Sequence, residues 1–173
     1  TITGNTTFNR ITVNGSYTVA DNDIIYNGLI NVTSSGSYAA GGGVATVNGD
    51  LTNAGTLTST GTTTFTGTTL QTLRLINALS STSTGIVNFN GNVSPVMNST
   101  SSPNFATLNI NNTAGVNPSV SWTIFVAMNV NSGAIFNGAV STHNIYGNFT
   151  NAGTTTSTGT LNFIPVSAKT INF

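Results

Sequence analysis

Apolar residues recur on alternate positions along much of this chain. The longest case is Val120, Trp122, Ile124, Val126, Met128 and Val130. Successive strand side chains point to opposite faces, so this spacing predicts a β-strand. Phe125 and Ala127 occupy the other phase, which predicts that this strand is covered on both faces. Shorter alternations occur at Ile11/Val13, Ile30/Val32, Leu73/Leu75, Val87/Phe89, Leu108/Ile110 and Leu161/Phe163. Between them lie the turn dipeptides Asn14-Gly15, Asn27-Gly28, Asn48-Gly49, Asn90-Gly91 and Asn137-Gly138. No segment joins helical spacing to helix-forming residues, and Glu is absent. The chain is therefore expected to be all-β with no substantial helix.

An internal repeat narrows the architecture. Residues 47–73 align with 145–171 at an offset of 98, with 13 identities in 27 positions and no gap. Phe8-Asn9-Arg10-Ile11-Thr12-Val13-Asn14 similarly aligns with Phe105-Ala106-Thr107-Leu108-Asn109-Ile110-Asn111 at an offset of 97. Many short strands fit either a β-sandwich or a β-solenoid. The repeat favours a solenoid, in which stacked coils bury a continuous core and keep polar outer positions. We expect one domain over 1–173, with internal repeats at approximately 1–97 and 98–173. The repeat offset should then correspond to a translation along the solenoid axis. Asn and Thr ladders should hydrogen-bond between coils, and Gly41-Gly42-Gly43 should mark a corner or loop tip. The alternative fold is a β-sandwich, pilin-like subunit completed by a donated strand.

Runs such as Gly49-Asp50-Leu51-Thr52-Asn53-Ala54-Gly55 and Phe105-Ala106-Thr107-Leu108-Asn109-Ile110-Asn111-Asn112-Thr113-Ala114-Gly115 resemble repeats of large secreted surface proteins of Bacteroidetes-type bacteria. Those repeats alternate a G-x-[LF]-x-N-x-G segment with an F-x-x-L-x-I-N-N-x-x-G segment. The resemblance implies a right-handed β-helix, export to the cell surface, and adhesive or filamentous roles. It supplies no catalytic motif.

Composition changes the picture of the surface. Charged residues make up 3% of the chain, formal net charge is zero, and hydrophobic residues make up 38%. Such a chain can bury a core, and its solvent face must be built from Thr, Ser and Asn. Neutrality leaves no electrostatic footprint for nucleic acid or anionic lipid and little repulsion against self-association. No apolar run approaches a membrane span, and neither a bilayer crossing nor an opening signal peptide is expected. The polar, weakly charged surface points to an extracellular or cell-surface location, with Thr1 as a processed or excised start. Cysteine is absent, which removes disulfides and thiolate metal sites. Asn-x-Ser/Thr sequons begin at Asn5, Asn14, Asn31, Asn92, Asn98, Asn111 and Asn148, candidate glycosylation acceptors in a host that glycosylates surface proteins.

Candidate chemistry is sparse. His143 is the only imidazole and is expected as a polar surface residue just before a strand. The side-chain acids are Asp21, Asp23 and Asp50, too few for the paired carboxylates of glycoside hydrolysis or the cation-assisted base of a lyase. Asp21-Asn22-Asp23 offers oxygens but lacks the rest of a Ca²⁺ loop and reads as a polar turn. No cofactor, metal or enzymatic activity is expected. Trp122, in phase with apolar neighbours, is assigned to core packing. Tyr17, Tyr26 and Tyr38 are better candidates for exposure than Trp122, but are assigned mainly to packing or subunit contacts. The Thr arrays at 58–64 and 156–160 suggest an ice-binding or glycan-binding face as an alternative function, although Thr-x-Thr does not recur at a short coil period.

The favoured expectation is a structural surface or filament protein whose partner is itself, or further repeats of a longer chain, with surface glycans as an additional target. Thr1, Ile2 and Thr3 at one end, and Thr170, Ile171 and Phe173 at the other, are uncharged strand-like segments without evident caps. They form the candidate subunit junction.

Overall fold

The computed structural model describes residues 1, 3–20, 22–75, 79–80 and 85–173. Parallel strands stack in about seven turns to form a β-solenoid, with no helix among the described residues. Each turn contributes three short extended segments, and the chain returns to the same ladder after 18 to 24 residues, as in Thr6 against Ile24 and Thr62 against Ile86.

The first ladder stacks Thr6–Phe8, Ile24–Tyr26, Val44–Val47, Thr62–Phe65 and Ile86–Phe89. It continues through the second halves of Asn104–Ile110 and Thr123–Val130 to Asn148–Asn151 and Ile171–Asn172. The second ladder stacks Ile11–Val13, Ile30–Val32, Leu51–Asn53, Thr72–Leu75 and Val96–Met97. Ile135–Asn137 and Thr154–Thr156 pair further along the chain. The third stacks Ser16–Thr18, Ser37–Ala40, Thr56–Ser59 and Leu79–Ser80, then the first halves of the two long strands, Thr142–Ile145 and Thr160–Phe163. Gly41-Gly42-Gly43 lies at the turn from the third ladder back to the first, as expected.

Period-two alternation sends one side of every strand into the tube. In the first ladder Tyr26, Val47, Phe65, Phe89, Ile110 and Val130 form one inward column, each 2% exposed or less. Phe65 and Phe89 stack with ring centroids 5.1 Å apart. Trp122, fully buried, meets Phe89 at 5.8 Å, Phe105 at 5.1 Å and Phe136 at 5.8 Å. Such aromatic pairs contribute roughly 0.5–1.5 kcal/mol each beyond the area they bury, so Trp122 ties the three ladders together in the middle of the stack. Its assignment to the core holds.

Two expectations require correction. The 120–130 alternation does not run through one regular strand covered on both faces. Phe105 pairs with Ile124 and Thr107 with Ala127, so Phe125 and Val126 together face the single residue Ala106. This β-bulge turns the corner between the third and first ladders. Phe125 and Val126 are 47% and 48% exposed, whereas Ile124 and Met128 are buried.

The 98-residue offset is also not a pure axial translation. Strand pairing carries Val47 through Phe65, Phe89, Ile110 and Val130 to Asn151, whereas the sequence match places Ile145 opposite Val47. Ile145 belongs to the third ladder. Likewise Phe8 is in the first ladder, and its match Phe105 is in the third. The match thus combines a rise along the axis with a step back of one face. The three corners share enough geometry to use one strand–corner–strand sequence. Gly55 and Gly153 show it, since a Cβ on either would strike carbonyl oxygens of the preceding coil (Gly36 at 2.2 Å, Ala134 at 2.4 Å) and a valine Cγ1.

Gly147 tests how tightly the coils meet. A Cβ there would lie 2.0 Å from the Val126 carbonyl oxygen. Gly147→Ala should destabilise the protein by about 1–3 kcal/mol through overpacking, read from the urea midpoint. Gly15→Ala, whose Cβ has nothing nearer than 4.0 Å, should leave that midpoint nearly unchanged.

Candidate functional site

The outward side of the first ladder carries a regular array of hydrogen-bonded polar side chains. Register places Thr46, Thr64, Asn88, Asn109 and Asn129 in one column along the axis. Asn88 Nδ2 donates to Thr64 Oγ1 at 3.1 Å, Asn109 Nδ2 to Asn88 Oδ1 at 2.8 Å, and Asn129 Nδ2 to Asn109 Oδ1 at 2.8 Å. A second column follows the adjacent corner, where Asn111 Nδ2 donates to Asn90 Oδ1 at 2.7 Å and Asn131 Nδ2 to Asn111 Oδ1. Lower in the stack Asn48 donates to Asn27 at 2.8 Å, and on the third ladder Asn162 donates to Asn144 at 3.1 Å. A carboxamide is donor and acceptor at once, so identical residues can chain from coil to coil at the roughly 4.8 Å strand spacing. The expected Asn and Thr ladders are present.

These columns decide how several candidate residues are engaged. Asn111 both donates and accepts within the corner column. Asn148 Oδ1 accepts from the Thr170 amide at 3.1 Å, and Asn5 Oδ1 from the Asp23 amide at 3.2 Å. Asn14, Asn92 and Asn98 are exposed, and Asn31 is half-buried within a strand. Asp23 and Asp50 also tie coils together, accepting from the Val44 amide at 2.9 Å and the Thr72 amide at 2.7 Å. Asp21 and Ile2 lie outside the described residues. Among the described residues no three His, Cys, Asp or Glu side chains gather as a metal site.

His143 is not a surface residue. It is fully buried, in register with Leu161 and in phase with Ile145. Its Nδ1 accepts from the Trp122 amide at 3.2 Å, and its Nε2–H donates to the Gly138 carbonyl at 2.9 Å. The ring meets Phe136 edge-on at 5.3 Å and Trp122 at 6.0 Å. Burial lowers its pKa, and the Gly138 carbonyl partly opposes that shift. Period-two alternation with Ile145 carried this information.

The tyrosines divide. Tyr17 is 47% exposed, as expected, whereas Tyr26 and Tyr38 are buried. Their hydroxyls, which no strand pattern could pair in advance, meet in a hydrogen bond inside the core. Burial raises both pKa values. For Tyr26 the proximity of Tyr38 and their hydrogen bond add to the rise, while for Tyr38 that bond opposes it.

At the ends of the stack, strand edges are open among the described residues. Thr6–Phe8, Ile11–Val13 and Ser16–Thr18 each pair on one side only. Phe8, Ile11, Thr12, Val13 and Tyr17 line a cleft of about 320 Å³ there. At the opposite end Ile171 is 45% and Phe173 87% exposed, with Phe173 resting edge-on against Phe149 at 5.8 Å. Thr1, Thr3 and Thr170 are exposed as well. The candidate junction residues among the described ones therefore lie at opposite ends of the described stack.

Searches against family models, curated proteins and solved structures found no match to this chain.

The amide columns should be measurable contributors to stability. Asn109→Ala removes both ladder bonds of the middle column and should cost about 1–3 kcal/mol in chemical unfolding. Asn92→Ala, on an exposed loop, should stay within about 0.5 kcal/mol.

Proposed function

We propose that this chain is a structural module of an extracellular surface or filament protein, a stiff β-solenoid spacer that stacks end to end. The observation that carries this reading is the one-sided pairing of the terminal strands among the described residues, beside apolar groups that are half-buried at one end and exposed at the other. Phe8, Ile11 and Tyr17 border the cleft at one end, and Ile171 and Phe173 project at the other. A strand edge with unpaired N–H and C=O groups is a template for another strand. The partner is a second copy or further coils of a longer chain, and the resemblance to bacterial surface repeats supports both export and an adhesive role.

No catalytic function is part of the proposal. Asp23 and Asp50, the aspartates among the described residues, accept backbone hydrogen bonds between coils. A second reading has its own support. Two adjacent outward columns, Thr46 to Asn129 and Asn90 to Asn131, form an uncharged two-column grid of Thr and Asn, spaced by about 4.8 Å along the axis and about 6.7 Å along each strand. Such a grid suits a periodic ligand, either ice or an ordered glycan.

Electron microscopy separates these readings. End-to-end stacking predicts rods longer than one molecule, which shorten or vanish when residues 1–7 or 167–173 are deleted. Rods unchanged by either deletion would contradict stacking through these ends. Thermal hysteresis with ice shaping, or a glycan-array signal from a monomeric protein, would favour the second reading.

A further inference from the structure

We propose that His143 is an acid-sensitive latch that holds the C-terminal coils of the solenoid closed. The ring is fully buried, and both nitrogens are committed to the backbone. Nε2–H donates to Gly138, which leaves the Nδ1 lone pair to accept the Trp122 amide. Uptake of one proton from solvent at Nδ1 converts that acceptor into a donor facing another donor. It also places an uncompensated charge in the core, a costly arrangement without a partner. Trp122, Phe136 and Leu161 surround the ring without supplying a counter-charge. Burial and the Gly138 carbonyl, with no charged side chain, set its titration.

The corner beside the ring transmits the change to the next coil. Ala139 follows Gly138 with a φ of 51°, a left-handed conformation that a β-carbon disfavours. Its carbonyl accepts from the Thr158 amide at 2.9 Å and the Gly159 amide at 2.7 Å, and also from the hydroxyls of Ser157 and Thr158, each at 3.1 Å. Displacing 138–139 therefore loosens 157–163. Proton affinity is lower in the folded chain, so the unfolded chain binds more protons between the two pKa values. Stability is complete above about pH 6.5 and declines as pH falls below it. The latch acts within one chain and does not depend on end-to-end assembly.

The test uses the full chain and follows thermal unfolding through the single tryptophan, together with hydrogen exchange corrected for intrinsic rates. Between pH 7.5 and 5.0 the midpoint should fall by about 4–8 °C, with at least tenfold faster exchange in 142–145 and 157–163. His143→Gln should remove most of that pH dependence. An equal acid loss in His143→Gln, or no loss in the parent chain, would overturn the proposal. If that variant does not fold, ring ¹⁵N shifts of the parent decide. A neutral Nε2–H tautomer that protonates only as the coil opens supports the latch. Protonation near the ordinary histidine value without structural change refutes it.

Discussion

Parallel, in-register stacking is the constraint on which the rest of this molecule depends. Each side chain has an equivalent in the next coil about 4.8 Å away, so a position tolerates only side chains that can sit on near-copies of themselves. Inward, this selects columns of Phe, Val, Ile and Leu. Outward, it selects Asn, which donates to one neighbour and accepts from the other, and Thr, which suits a pleated surface. A stacked column of like charges would repel itself. The 3% charged fraction is therefore a consequence of the fold as much as of its surroundings. Arg74, within a strand, stacks on the neutral Thr52.

Regular stacking leaves the interesting chemistry at its exceptions. Trp122 fills the tube where Phe89, Phe105 and Phe136 converge, and its indole N–H is buried without an acceptor. The Phe125–Val126 bulge turns the chain into Ala127–Val130 and leaves Phe125 stacked on Tyr146 at 5.6 Å on the outside. His143 occupies a core position where its column offers a leucine. Each departure lies in the same few coils, where the two long strands merge the first and third ladders into one sheet.

Much of the architecture was legible in the sequence because the physics that builds a solenoid is local and periodic. Alternation at Val87/Phe89 and Leu108/Ile110 marked inward columns, and the Asn-rich strand ends foretold the amide ladders. What alternation could not convey was phase between coils. The 98-residue match was real, yet it joined segments one face apart, because two different corners use the same Asn-Ala-Gly chemistry at Gly55 and Gly153. The bulge was hidden for a related reason. Six alternating apolar residues look the same whether the strand continues or turns a corner after Ile124. Tyr26 and Tyr38 read as candidates for exposure but mainly as packing residues, and alternation alone could not show that each buried hydroxyl is satisfied by the other. His143 was weighed as a lone polar group, although its spacing from Ile145 already placed it inside. The open ends were legible only as uncharged segments, and their apolar faces became visible once the coils were assembled.

The most direct test of in-register stacking is a double-mutant cycle with Asn88→Asp and Asn109→Asp. If the two side chains occupy one column, the double variant should be destabilised beyond the sum of the single variants by about 1 kcal/mol, and that excess should disappear when the carboxylates are protonated near pH 3. Strictly additive effects with no dependence on pH would contradict the stacking register on which this account rests.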